Sequence, residues 1–367
     1  MRTSGFRFKW LLLVVFIVLI SVQGQSQHRI VLLHPTASNI ENMVWLVEDR
    51  IIDIPDLEIL GVYASNEAYD YSASEKYLNQ HHISYFRLRG LEGQLKPEDI
   101  YRENKFTPAF RALFKESDAI LFLGGPDIPA AIYGEKQNQL TVVTDPNRHY
   151  FETSLFFHLT GGSRNPLFEP FLADKPDFII RAFCLGMQTM NVAAGGTLIQ
   201  DIPSELYHKN TLEEIADQPI ENLHRSSLAP LYPSLDLFPG IFHQIRIGET
   251  GYLKEIADKS GNFFPEVLSA HHQAVGRKGA DLTVIATSMD NKIIEGLQHT
   301  VFKNVVGVQF HPEAAALYKT EATLVYCPDS AFSPNKLLLK SKSLSFYQLF
   351  WKDFSIKVAE NHRMPKN

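Results

Sequence analysis

Cysteine is nearly absent from this 367-residue chain, which has two. That excludes a disulfide-rich scaffold, in which several bridges hold a small core together. Excess positive charge is absent too. Lys and Arg number 35 against 41 Asp and Glu, a net charge of −6. A dedicated nucleic-acid binder would show a basic stripe instead. There is no phosphate-binding loop of the Gly-x-x-x-x-Gly-Lys type, no internal repeat and no low-complexity tract. No spacing of paired metal ligands occurs, so neither metal nor cofactor is expected. After Val22 no stretch is apolar enough to span a membrane. What remains is a chain with 45% hydrophobic residues, which is globular in composition and long enough to bury a large core.

The N-terminus stands apart. Arg2, Arg7 and Lys9 precede an apolar run from Trp10 to Val22, followed by Gln23-Gly24. The run has about thirteen residues, whereas a spanning helix needs roughly twenty. This pattern predicts a cleavable signal peptide over residues 1–24 rather than an anchor. No cysteine follows it, which argues against lipid attachment. Loss of the three cations takes the net charge from −6 to −9. The mature protein is expected to be exported, periplasmic or secreted, with no attachment to the membrane once the leader is cleaved.

Short apolar runs alternate with helical patterns through the first half. Arg29–Leu33, Leu57–Tyr63, Ile83–Leu88, Asp118–Leu123 and Asp177–Phe183 read as strands. Asn39–Asp56 carries apolar residues at helical spacing. Strand–helix–strand alternation predicts an α/β fold with a mostly parallel central sheet flanked by helices, flavodoxin-like in layout. After about residue 240 the strands become short and closely spaced. Ile241–Ile247, Leu282–Thr287, Lys292–Leu297 and Val305–Phe310 predict a small antiparallel region, with a hairpin around Asp290-Asn291. Leu344–Ala359 reads as an amphipathic helix, and residues 161–166 and 218–239 as loops. No Pro/Ser-rich linker divides the chain, so residues 25–367 are read as a single domain.

Three segments carry chemistry. In the first, a strand runs into Cys184 and a helix pattern begins at once, with Gly186 at the turn. This is the cysteine form of a nucleophile elbow. A helix N-terminus stabilises negative charge there, which favours the reactive thiolate. In the second, Gly307-Val-Gln-Phe-His311-Pro-Glu313 places a carboxylate two residues after an imidazole. In extended chain the two point the same way, so Glu313 can orient His311 while it deprotonates a thiol. In the third, Gly124-Gly125-Pro126-Asp127 closes a strand. A glycine pair there can turn backbone N–H groups inward, and one of them, with the N–H of Leu185, would form an oxyanion hole.

These motifs, in this order, resemble the class I glutamine amidotransferase superfamily. Gly-Gly-Pro-Asp-Ile with Tyr133-Gly134, Gly195-Gly-Thr-Leu-Ile-Gln-Asp201 and Ser269-Ala-His-His-Gln-Ala-Val275 are similar to the gamma-glutamyl hydrolase peptidases, a group that includes bacterial gamma-glutamyl-GABA hydrolases. The resemblance covers residues 118–315. It implies Cys184 as nucleophile, His311 as base and Glu313 as orienting acid. It implies Gly125 and Leu185 as oxyanion donors. Gln188, Ser269, His271 and His272 would bind substrate, with either histidine facing it. The implied activity is an exported cysteine hydrolase of gamma-glutamyl amide bonds. Its partner is a small gamma-glutamyl substrate and not nucleic acid, and the chain could pair as a homodimer.

The chain departs from the family at Ala182, where glycine is usual, and at the bulky Phe183. Leu185 stands where the hydrolase branch commonly has arginine. Residues 161–176 look longer than the family's connection and are expected to add a rim to the pocket. Two other readings are a glutaminase-type subunit that feeds ammonia to a synthetase, and a non-catalytic binding protein that keeps the fold. The leader opposes the first, and retention of all three triad residues opposes the second. Cys327 has no assigned role. A bridge between it and Cys184 would consume the nucleophile, so Cys184 is expected to be a free thiol.

Overall fold

A computed structural model describes residues 27–361 of the chain. The leader expected over residues 1–24 lies outside the described residues. Five strands, β1 (His28–Leu33), β2 (Leu57–Ala64), β3 (Phe86–Leu91), β4 (Ala119–Phe122) and β5 (Ile179–Phe183), come from the first half. The second half adds β6 (Leu198–Ile199), β7 (Ile241–Ile247), β8 (Glu266–Ser269), β9 (Ala274–Val275), β10 (Leu282–Ser288), β11 (Ile294–His299), β12 (Val305–Val308), β13 (Leu324–Cys327) and β14 (Ser330–Phe332). Ten of them form one sheet in the order β3-β2-β1-β4-β5-β12-β11-β10-β7-β8. From β3 to β12 every neighbour is parallel. From β12 onward the pairs are antiparallel. The antiparallel strands therefore extend the main sheet, while β6–β9 and β13–β14 make small separate ribbons.

The apolar runs are continuous because the sheet is covered on both faces. In β1, Ile30 and Leu32 join one buried cluster while Val31 and Leu33 join the other. The first cluster lies under helices Ala37–Glu48, Tyr252–Ser260 and Leu344–Asn361, and the second under Thr107–Glu116 and Pro146–Thr160. Among the described residues no helix is long and apolar enough to cross a membrane.

Three local expectations shift. The first helix ends at Glu48, not Asp56, because Arg50 adopts φ 57° and the chain turns so that Ile52 N–H bonds Leu46 O. Ile52 and Ile54 still enter the core, but from a loop. The third strand runs Phe86–Leu91 rather than Ile83–Leu88. Residues 161–176 add no rim to the pocket. They fold back so that Arg164 bonds the carbonyl of Tyr133, and Asn165 Nδ2 donates to Tyr101 O at 3.1 Å.

Candidate active site

The parallel strands β4, β5 and β12 deliver their C-terminal ends to one edge of the sheet, where ligands bind in open α/β folds. Cys184 follows β5 directly and caps helix Leu185–Ala193. Its backbone lies at φ 52°, ψ −108°, a conformation that a non-glycine residue adopts only when its surroundings force it. The forces are visible. Cys184 N–H bonds Val308 O in β12, and its carbonyl accepts from Met187 and Gln188 in the first helical turn. Phe183 is accommodated by the C-terminal helix, packing edge-on against Trp351 at 5.6 Å. Ala182 is fully buried within the sheet.

His311 and Glu313 follow β12. Nδ1 of His311 is 2.8 Å from Glu313 Oε1. The segment between them is pinned from behind, since Pro312 O accepts from Trp351 Nε1 at 3.0 Å and from Tyr318 Oη at 2.8 Å. Nε2 of His311 is buried and makes no well-aligned hydrogen bond. Cys184 is close enough to act on the ring as charge and hydrogen-bond partner. Burial by itself disfavours the imidazolium, but the Glu313 carboxylate and Cys184 outweigh it and hold the His311 pKa well above its ordinary value.

The glycine turn after β4 completes the arrangement. A Cβ at Gly124 would lie 2.8 Å from His311 Cε1 and 3.6 Å from Cys184 Cβ, so the nucleophile, the base and this turn converge on one point. Arg148, 1% exposed in helix Pro146–Thr160, reaches the same turn. Its Nη2 donates to Gly124 O at 3.0 Å and to Leu123 O at 3.3 Å, and its Nε donates to buried Glu152 at 2.7 Å. In a trans peptide, N–H and C=O point in opposite directions. Holding Gly124 O on the Arg148 side therefore turns the Gly125 N–H away from Arg148. The Leu185 N–H, first in its helix, has no intrahelical acceptor. These two donors suit an oxyanion.

A cavity of about 680 Å³ opens over Cys184. Gln188, His271 and His272 line it. Ser269 does not: it is fully buried at the end of β8, paired with Ile241 inside the sheet. Gln188 Nε2 donates to Gln273 O at 3.0 Å. His272 is clamped, with Nδ1 3.0 Å from Asp201 and Nε2 3.0 Å from Asp127. Burial lowers its pKa, but the two carboxylates more than offset this and raise it to about 9. With both nitrogens occupied, His272 ties the Gly-Gly-Pro-Asp turn to the N-cap of helix Ile202–Leu206. His271 is held neutral by burial and keeps Nδ1 on Gln273 O at 2.8 Å. The outer wall comes from residues 201–230, not from 161–176. Arg148 and Glu152 belong to no local motif, so nothing in the sequence marks them. Asp127 and Asp201 do lie within motifs, where their clamping role is invisible until His272 is placed between them.

The family model for Peptidase C26 matches residues 103–313. A Rickettsia prowazekii protein provisionally named as glutamine amidotransferase-like is 28% identical over 220 residues, 53% of this chain and 70% of its own. A Lactococcus lactis protein named in the same way is 29% identical over 199 residues, 53% of this chain and 66% of its own. A Mycobacterium tuberculosis protein provisionally named as a glutamine amidotransferase is 29% identical over 195 residues, covering 53% of this chain and half of that one. A solved Thermoplasma acidophilum structure, provisionally described as one subunit of GMP synthase, aligns over 93% of this chain and 98% of its own at 9% identity, with a TM-score of 0.39. The chain belongs to the Peptidase C26 family and is a glutamine amidotransferase-like enzyme of the cysteine hydrolase or amidotransferase type.

Proposed function

We propose that this protein is an exported hydrolase of gamma-glutamyl amide bonds. The observation that carries the reading is a strained cysteine lining a cavity, beside a carboxylate-oriented histidine. In the proposed cycle the Cys184 thiolate attacks the gamma-carbonyl carbon. The N–H groups of Gly125 and Leu185 hold the resulting oxyanion. The C–N bond breaks, His311 gives its proton to the leaving amine, and a gamma-glutamyl thioester remains. His311 then takes a proton from water, which attacks the thioester and releases glutamate and the thiolate. Gln188, its Nε2 committed to Gln273 O, would offer its carbonyl oxygen to the substrate ammonium. Lys209 and Arg225 on the cavity wall suit carboxylates.

The test is turnover of a chromogenic gamma-glutamyl anilide by the wild-type chain and by Cys184→Ala. Activity confined to the wild type supports the reading, and near-normal turnover by Cys184→Ala refutes it. Ammonia release from free glutamine that outpaces cleavage of every gamma-glutamyl amide in a panel would favour the glutaminase reading instead. N-terminal sequencing of protein recovered from the periplasm or medium tests export, and retention of Met1 in the cytosol would exclude it.

A further inference from the structure

At the cavity wall, three side chains from separate segments meet, and one of them, His224, is part of the lining. His243 lies in β7, Glu295 in β11 and His224 in the 218–239 loop excursion. They are 1%, 0% and 3% exposed, and ligand-type atoms of all three lie within 4.8 Å of one another. His224 Nδ1 is 3.2 Å from Glu295 Oε1, and His243 Nε2 is 3.8 Å from the same oxygen. Neither contact has hydrogen-bond geometry. Both nitrogens of His224, Nε2 of His243 and both Glu295 oxygens are buried without a hydrogen-bond partner. Polar atoms removed from water are normally paired, and an uncompensated carboxylate is costly.

The surroundings orient these rings. His243 Nδ1 is 3.1 Å from Gln244 O. A carbonyl only accepts, so in the neutral ring Nδ1 carries the proton and Nε2 presents its lone pair toward Glu295. His271 is arranged in the same way by Gln273 O, with Nε2 buried and unpartnered and its ring centroid 5.1 Å from that of His224. Backbone carbonyls commonly fix histidine ligands in this tautomer. A lone pair aimed at a carboxylate is repulsive, and a cation between them makes both contacts attractive. Tetrahedral zinc, with bonds of about 2.0–2.1 Å, sets its ligands roughly 3.3 Å apart, close to the 3.2 and 3.8 Å separations here. Two imidazoles with one carboxylate suit zinc or a similar transition metal better than calcium or magnesium.

We propose that His224, His243 and Glu295 bind one zinc-class divalent cation, with His271 Nε2 as the candidate fourth ligand. The sequence shows no metal-ligand spacing because the donors converge only through the fold. The ion would tie the 218–239 excursion to the sheet, and that excursion carries Leu223, Arg225, Ser227 and Pro230 into the cavity lining. Its role is therefore structural, and it does not depend on which substrate the enzyme cleaves.

The test uses untagged chain, stripped with a strong chelator and titrated with Zn²⁺ alone, with bound metal measured by plasma mass spectrometry. About one equivalent per chain is expected to survive gel filtration, and Co²⁺ in its place should give tetrahedral d–d absorption bands. Stripped chain should be cut by protease within residues 208–239 faster than loaded chain. His243→Ala should lose the equivalent. If that variant does not fold, Glu295→Gln keeps the side-chain shape and should bind zinc about tenfold or more weakly. Wild-type chain that takes up no stoichiometric zinc or cobalt overturns the proposal. So do Glu295→Gln and His224→Ala variants with wild-type uptake.

Discussion

Arg148 offers a way to separate positioning from stability. Its guanidinium holds Gly124 O and Leu123 O while it pairs with Glu152, and both charged side chains are within 2% of complete burial. Arg148→Met leaves the Glu152 carboxylate buried without its cation. Breaking a buried pair in this way costs about 3–5 kcal/mol, a large share of a typical stability of about 5–15 kcal/mol. The double variant Arg148→Met/Glu152→Gln removes the charge and should recover much of that loss. It does not restore the hold on the Gly124–Gly125 peptide. If the amide then rotates, one oxyanion donor is misaligned, at a cost of about 10²–10³ in kcat. The assay is urea unfolding alongside steady-state turnover of a gamma-glutamyl anilide. The double variant is expected to be near wild type in stability and in KM but to keep the kcat deficit. Recovery of kcat together with stability would show that Arg148 only supports the core.

Other perturbations follow from the same geometry. Gly124→Ala puts a methyl group 2.8 Å from His311 Cε1, so it should abolish turnover while circular dichroism shows the fold intact; retained activity would mean that the turn and the base are farther apart. Glu313→Gln removes the carboxylate that raises the His311 pKa. Its NMR titration midpoint should fall, and kcat should drop by about 10²–10⁴. Because the folded His311 pKa is raised, the pairing stabilises the fold fully below the unfolded value of about 6.5. That contribution disappears as pH rises through the raised value, so the stability gap between wild type and Glu313→Gln should be widest in acid and close in alkali. Asp201→Ala loses the caps to Ser204 N–H and the His272 clamp, and should destabilise by about 1–2 kcal/mol in urea titration. Cys184 and Cys327 are both free thiols, and intact mass under non-reducing conditions should show no bridge in active enzyme.

The parallel half of the sheet is legible in the sequence because each strand is buried on both faces and so forms an unbroken apolar run, as in Ile30–Leu33. β3 begins three residues later than its sequence suggests because it is the sheet edge. Its Arg87, Arg89 and Gly90 face solvent, and no run of apolar side chains marks its limits. Helix Ala37–Glu48 ends without a glycine, so the apolar spacing through Ile51 gives no stop signal. The segments carrying Cys184, His311 and Glu313 are legible because an elbow and an imidazole–carboxylate pair are local patterns. Arg148 acts through backbone carbonyls 24 and 25 residues away, and His224, His243 and Glu295 meet only in three dimensions. No window of sequence displays either arrangement.

The central claim is that Cys184 forms a gamma-glutamyl thioester. Rapid acid quench of the enzyme turning over a gamma-glutamyl anilide, followed by intact-mass and peptide mass spectrometry, tests it directly. A transient adduct with the mass of one gamma-glutamyl group should appear on the peptide containing Cys184, and be absent from Cys184→Ala. Anilide turnover with no adduct at Cys184, or an adduct on another residue, would contradict it.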